Sequence, residues 1–105
     1  MPAQPARSVT IASGTKPSTA FGTGQGRLGS FQLGAFTGAS VTVKVSNDGS
    51  NWTTCPTVSG ESNPITVSAN GAYALPEKVF NFQFGQLVSA SNEAEAREIA
   101  IFTRD

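Results

Sequence analysis

The chain has 105 residues, seven Lys+Arg against seven Asp+Glu for a formal net charge of zero, no histidine and one cysteine. That length suits one domain with a real core and leaves no second lobe to form a cleft, and zero net charge gives no long-range pull on nucleic acid or an anionic membrane. Charged residues make up 13% of the chain, half the ~25% of an ordinary soluble domain, so the surface is one that suits being packed against.

In chain order, residues 1–26 (MPAQPARSVTIASGTKPSTAFGTGQG) carry three of the six prolines, four glycines and few large apolar residues. They are expected to form an extended N-terminal arm or linker, with one short strand at SVTIA (8–12). The opening MPAQPARSV lacks the apolar run of a signal peptide, and no stretch approaches the ~18 apolar residues of a membrane span. The chain is therefore expected to stay where it is made or to travel within an assembly. GQGRLG (24–29) has the glycine spacing of a dinucleotide fingerprint, but that motif must open a helix in a βαβ unit. RLGSFQL (27–33) reads instead as a strand, which removes the nucleotide reading.

ASVTVKVS (39–46) alternates Val41, Val43 and Val45 with Thr42, Lys44 and Ser46, the period-two signature of a strand with one buried face. The stretch after it, NDGSNW, reads as a hairpin turn made by Asn47, Asp48, Gly49 and Asn51. Gly49 supplies a positive φ, and the asparagine amides suit the turn edges. A calcium loop is excluded: with Gly49 as its sixth residue, Lys44 takes the first ligand position and Cys55 the twelfth. Trp52 is expected to pack its indole over the sheet, the alternative being a stacking platform for a sugar or base. The sequon Asn51-Trp52-Thr53 matters only in a secretory compartment. Cys55 has no cysteine partner and no histidine to activate it, so it reads as a half-buried structural thiol.

Further strands are expected at NWTTC (51–55), PITVS (64–68) and AYAL (72–75), with turns at Gly60, Asn70-Gly71 and Pro76. KVFNFQFGQLV (78–88) sets Phe80, Phe82 and Phe84 against Asn81 and Gln83, and a parity shift before Leu87 suggests a bulge near Gly85. SNEAEARE (91–98) offers at most one helical turn, capped by Asn92 with Glu95 three residues on. Glu93, Glu95 and Glu98 beside Arg97 read as solvated charges rather than an acid/base pair, which needs a cleft. EIAIFTR (98–104) puts Ile99 and Ile101 on one face and Ala100 and Phe102 on the other, as in a central or interface strand.

About eight strands in one small domain predict an all-β, two-sheet antiparallel sandwich over residues 27–105, jelly-roll-like or immunoglobulin-like. With no cluster of nucleophile, base or metal ligands, the chain reads as a non-enzyme with no cofactor and no metal. The residues expected to make interface contacts are Arg7 and Phe21 in the arm, Trp52 at the hairpin and Phe102 on the last strand.

The order RLGSFQLGAFTGASVTVKVSNDGSNWTTCP, ITVSANGAYALP, KVFNFQFGQLVSASNEAEAREIAIFTR resembles small β-sandwich structural proteins of tailed-bacteriophage virions, over roughly residues 27–104. VSNDGSNW, the ALP before a phenylalanine-rich strand, and LVSASNEAEAREIAIF carry the likeness. It implies a non-enzymatic capsid decoration (cement) protein or another head, neck or tail component, located in the virion and assembled in the host cytoplasm. The implied partners are the major capsid protein or other virion proteins and further copies of the chain, with no nucleic acid and no membrane. SNDGSNW (46–52) also resembles the hairpin of discoidin-type and other carbohydrate-binding sandwiches, which makes a glycan the alternative partner. The loops here, mostly Gly, Ser, Asn and Ala, depart from that pattern.

Overall fold

The computed structural model describes residues 7–24 and 26–104. Nine strands run through them: β1 (Arg7–Ile11), β2 (Phe21–Gly22), β3 (Leu28–Gln32), β4 (Ser40–Ser46), β5 (Thr53–Thr54), β6 (Ile65–Thr66), β7 (Ala72–Ala74), β8 (Phe84–Ser89) and β9 (Arg97–Arg104). One sheet has the order β1-β9-β3-β7; the other has β2-β8-β4-β5, with β6 on the same β4 edge as β5. Every pairing is antiparallel.

The pairs are nested. β1 pairs with β9, β2 with β8, β3 with β7 and β4 with β6, as if one long hairpin had been rolled up; β3–β9 and β4–β8 then join the pairs into sheets. Of the two sandwich topologies expected from the sequence, this is the jelly roll. Each sheet turns one parity of its strands inward: Val9, Ile11, Phe31, Ile99 and Ile101 from one, Phe21, Val41, Val43, Val45 and Leu87 from the other, all buried in one core cluster. Asn63 fills the gap between β5 and β6 on the β4 edge. Its carboxamide accepts from the Val43 N–H at 2.9 Å and donates to the carbonyls of Val43 and Cys55 at 2.9 and 3.0 Å.

The structure departs from the sequence reading in four places. Residues 7–24 of the expected arm are part of the sandwich: β1 is an edge strand of the first sheet, and residues 17–22 lie along β8. Val9, Ile11 and Phe21 are few but fully used, which a Pro- and Gly-rich composition conceals. Residues 1–6 of that arm, Gln25 of GQGRLG and Asp105 lie outside the described residues. The phenylalanine-rich strand begins only at Phe84, because Pro76 opens a 3-10 helix, Glu77–Asn81, in which the Val79 N–H reaches the Pro76 carbonyl at 3.1 Å. Phe80 leaves the strand parity and lies over Gly26 and Gly29, where a Cβ would come within 2.9 and 2.8 Å of its ring. Two glycines of the apparent dinucleotide fingerprint are thus the seat of an aromatic ring.

The other two departures are at Gly85 and Glu93. No bulge forms at Gly85, since β8 runs in unbroken register against β4 from Phe84–Ser46 to Ser89–Val41. Gly85 faces inward and leaves room for the Phe21 ring from β2. SNEAEARE forms no helix, within the expectation of at most one turn, but Glu93 within it, expected in solvent, is 0% exposed.

Phe21→Ala is expected to cost about 3–5 kcal/mol, as for a buried ring, whereas a residue in a solvated arm would cost almost nothing. Gly85→Ala alone is also expected to destabilise, since its Cβ would meet that ring. In the double variant the Gly85→Ala penalty should shrink. Urea unfolding of the four proteins reads this coupling as a double-mutant cycle.

Candidate functional site

The outer face of the β1-β9-β3-β7 sheet is where the apolar pattern runs against burial. β9 turns Glu98, Ala100, Phe102 and Arg104 outward while Ile99, Ile101 and Thr103 go in. β3 turns out Leu28, Ser30 and Gln32, and β7 turns out Ala72 and Ala74. Leu28 and Phe102 are 59% and 38% exposed, the two large hydrophobic side chains left to solvent among the described residues. They are neighbours: Leu28 pairs with Arg104 and Ser30 with Phe102 across the β3–β9 ladder. A shallow groove of about 310 Å³ runs between them, lined by Leu28, Gly29, Ser30, Phe102 and Arg104. Small side chains on much of the rest of the sheet leave the face low, with few charges.

The four expected contact residues do not converge. Phe102 lies on this face. Phe21 is 3% exposed inside the core and is unavailable to a partner. Arg7 begins β1 with an exposed side chain, and its guanidinium donates to the Gly22 carbonyl, clipping β1 to β2 across the two sheets. Trp52 is half-buried in the loop between β4 and β5 and lies outside the core cluster. Leu28 is the face residue that the sequence reading passed over; its signal was an apolar side chain on the same parity as Ser30 and Gln32.

The turn residues do what their chemistry dictates. Asp48 Oδ1 accepts from the Ser50 and Asn51 N–H groups, both at 2.8 Å, and Oδ2 accepts from the Asn51 amide at 2.6 Å. The Asn51 and Ser50 backbone hydrogen bonds, helped by the side chains of Asn51 and Ser46, hold the Asp48 carboxyl far below the usual carboxylate range. Gly49 sits at φ +78°, and the Asn47 carboxamide accepts from the Gln83 N–H at 3.2 Å. The connection is a six-residue loop between Ser46 and Thr53 rather than a tight two-residue turn. Asp48 spends its oxygens on that loop, which leaves them committed to structure.

Of the three glutamates expected in solvent, Glu95 and Glu98 are exposed, but Glu93 is buried at one end of the sandwich. Its Oε1 accepts from the Thr37 N–H at 2.8 Å and from Arg97 Nε at 2.9 Å, and its Oε2 from the Gly38 N–H at 3.0 Å and Ser89 Oγ at 2.8 Å. Its own backbone bonds to Gly14 and Thr15. Burial pushes the Glu93 carboxyl up, but the donors from Thr37, Ser89, Arg97 and Gly38 together outweigh it and hold the group below its ordinary 4.5. No local pattern announces this, since two of the four donors come from the β3–β4 loop.

Cys55 is 2% exposed. Burial, and secondarily the negative charge of Glu61, pushes its thiol up to about 11 against the pull of Lys78, so it is a poor nucleophile. Glu61 lines a second groove, of about 200 Å³, but its oxygens accept from the Val58 and Glu77 N–H groups at 3.0 and 2.9 Å. Among the described residues no three His, Cys, Asp or Glu side chains are grouped to hold a metal ion, and no helix is long and apolar enough to cross a membrane. Comparison with protein-family models, with curated proteins and with solved structures finds no match to the chain.

Two outcomes are expected. Glu93→Gln should cost about 1–3 kcal/mol at neutral pH, by taking the charge from a buried, donor-rich site. Because the native Glu93 has the lower pKa, the unfolded state binds more protons in acid. Its contribution is therefore complete above 4.5 and is lost as pH falls through the native value. Urea midpoints of the wild type should fall on acidification below that point, and those of Glu93→Gln should fall less; Asp48 contributes in the same direction to both. Separately, iodoacetamide should alkylate Cys55 only as fast as the protein unfolds, as mass spectrometry of native and urea-treated samples will show.

Proposed function

We propose that the protein is a non-enzymatic structural component of a tailed-bacteriophage virion, a capsid decoration (cement) protein that packs on the major capsid protein and on its own copies. The observation that carries this reading is the outer face of the β1-β9-β3-β7 sheet, with its small side chains and the exposed Leu28 and Phe102. The resemblance in residues 27–104 supplies the setting, and a jelly roll is an architecture used in capsids. Function on this reading is surface burial: each apolar contact is worth about 25 cal/mol per Å² removed from water, and icosahedral repetition multiplies a weak contact into avidity. Nothing in that task requires a nucleophile, a metal or a cofactor.

The test is copy number, by quantitative mass spectrometry of purified particles of the encoding phage relative to the major capsid protein. The expected result is on the order of hundreds of copies per particle, since only the shell repeats a site so often. A count of about six or twelve would move the protein to the neck or tail. Absence from the particle would overturn the reading.

A further inference from the structure

The outward side chains of β9 read Glu98, Ala100, Phe102, Arg104: an acid at one end, a base at the other, and a small residue beside a large one between them. We propose that this face binds the same face of a second copy of the chain, across a two-fold axis that runs perpendicular to β9 at the level of Ile101. The two β9 strands then lie antiparallel, one over the other.

Such an axis matches each residue with the one equally far beyond Ile101. Glu98 falls opposite Arg104 of the second copy, and Arg104 opposite its Glu98. Phe102 falls opposite Ala100, a ring over a methyl group, and the contact is made twice. The ladder carries the same level onto the neighbouring strands, because Ile101 pairs with Phe31 and Phe31 with Tyr73. Ser30 therefore meets Gln32, and Ala72 meets Ala74. An isologous interface requires a patch that is its own complement, and this one is so in charge and in side-chain size. Stacking the strands parallel would instead set Glu98 on Glu98 and Arg104 on Arg104, so like-charge repulsion selects the antiparallel arrangement.

Strand spacing and rise over these four strands give the face an area of roughly 340 Å², well below the ~800 Å² per partner of a standard stable complex. The dimer is accordingly weak, with a dissociation constant of about a micromolar or weaker. The inference deepens the reading of this face as an interface, on which it rests for the use of the dimer; association itself is measured on purified protein with no particle present.

Sedimentation equilibrium of the full chain, at concentrations bracketing that constant, should show a monomer–dimer equilibrium. Glu98→Arg and Arg104→Glu should each weaken the dimer about tenfold, since two opposed pairs become like-charged. The doubly reversed chain should return to wild-type affinity, and mixing the two single variants should do the same, because each heterodimer then holds two opposite-charge pairs. Phe102→Glu should abolish association. Circular dichroism melts should leave all these exposed-site variants folded, and the charge reversals suffice for the test if Phe102→Glu does not fold. A chain that is monomeric throughout, a dimer indifferent to Phe102→Glu, or a double reversal no better than the single ones would overturn the inference. If the chain is monomeric and Phe102→Glu loses binding to purified capsids, the capsid occupies this face: the second copy is overturned and the virion reading stands. A dimer that responds as expected, from a chain absent from particles, upholds the inference and removes the virion reading.

Discussion

The register of β9 between β1 and β3 is the constraint on which the sandwich closes. The eight-residue strand is bonded on one side to Arg7–Ile11 and on the other to Leu28–Gln32, so the last strand must find partners laid down near the start of the chain. Closing such distant pairings costs loop entropy before any contact offsets it. What offsets it is parity. In this register Ile99 and Ile101 enter the core; a slip of one residue would bury Glu98 and Phe102 and expose both isoleucines, reversing the strand's whole contribution.

Glu93 holds the end of the sandwich from which β9 departs. A buried carboxylate is costly unless its oxygens are satisfied, and each Glu93 oxygen accepts two hydrogen bonds. Those donors tie the β3–β4 loop, the last residue of β8 and the first residue of β9 to one charge, while the Glu93 backbone ties in Gly14 and Thr15 from the β1–β2 loop. Asp48 does a local version of the same work, with donors no more than three residues away. The two carboxylates therefore differ in consequence: loss of the Asp48 carboxylate relaxes a single loop, whereas loss of the Glu93 carboxylate frees the β3–β4 loop from the ends of β8 and β9 together, while the backbone bonds to Gly14 and Thr15 remain. Among the described residues no buried side-chain N or O lacks a partner.

What the sequence made legible follows from how far the deciding interaction reaches. The alternation in residues 40–46 and 98–104 is intrinsic to a half-buried strand, so both elements and the two-sheet architecture were readable, as was the positive φ at Gly49, though not the length of the loop around it. Residues 78–82 misled because alternating phenylalanines satisfy the strand pattern, while the decisive feature is Pro76 and a ring seat on Gly26 and Gly29, some fifty residues earlier. The N-terminal segment misled through its composition: Val9, Ile11 and Phe21 are sparse among prolines and glycines, yet each has its place in the core. Burial of Glu93 was illegible because its sequence neighbours, Glu95, Arg97 and Glu98, read as a solvated run, and the backbone donors that decide its fate lie in a distant loop. On the outer face, Phe102 was readable from the Ile–Ala–Ile–Phe alternation, but Leu28 became meaningful only once the ladder set it beside Arg104.

The same alternation that builds the core leaves the outer face free to vary. Along β9 the even-numbered residues from Glu98 to Arg104 point outward and the odd-numbered ones from Ile99 to Thr103 point inward, so each parity answers to a different demand. The inward parity is held by packing and tolerates little change. The outward parity carries little of the folding energy, and it is there that Leu28 on β3 and Phe102 on β9 stay exposed. Small residues on β7 and at Ala100 keep this face low, as any surface that is to approach it at the ~10 Å of stacked sheets requires. A fold whose stability is settled inside thus leaves the outward residues of one strand open to change without a matching cost in folding.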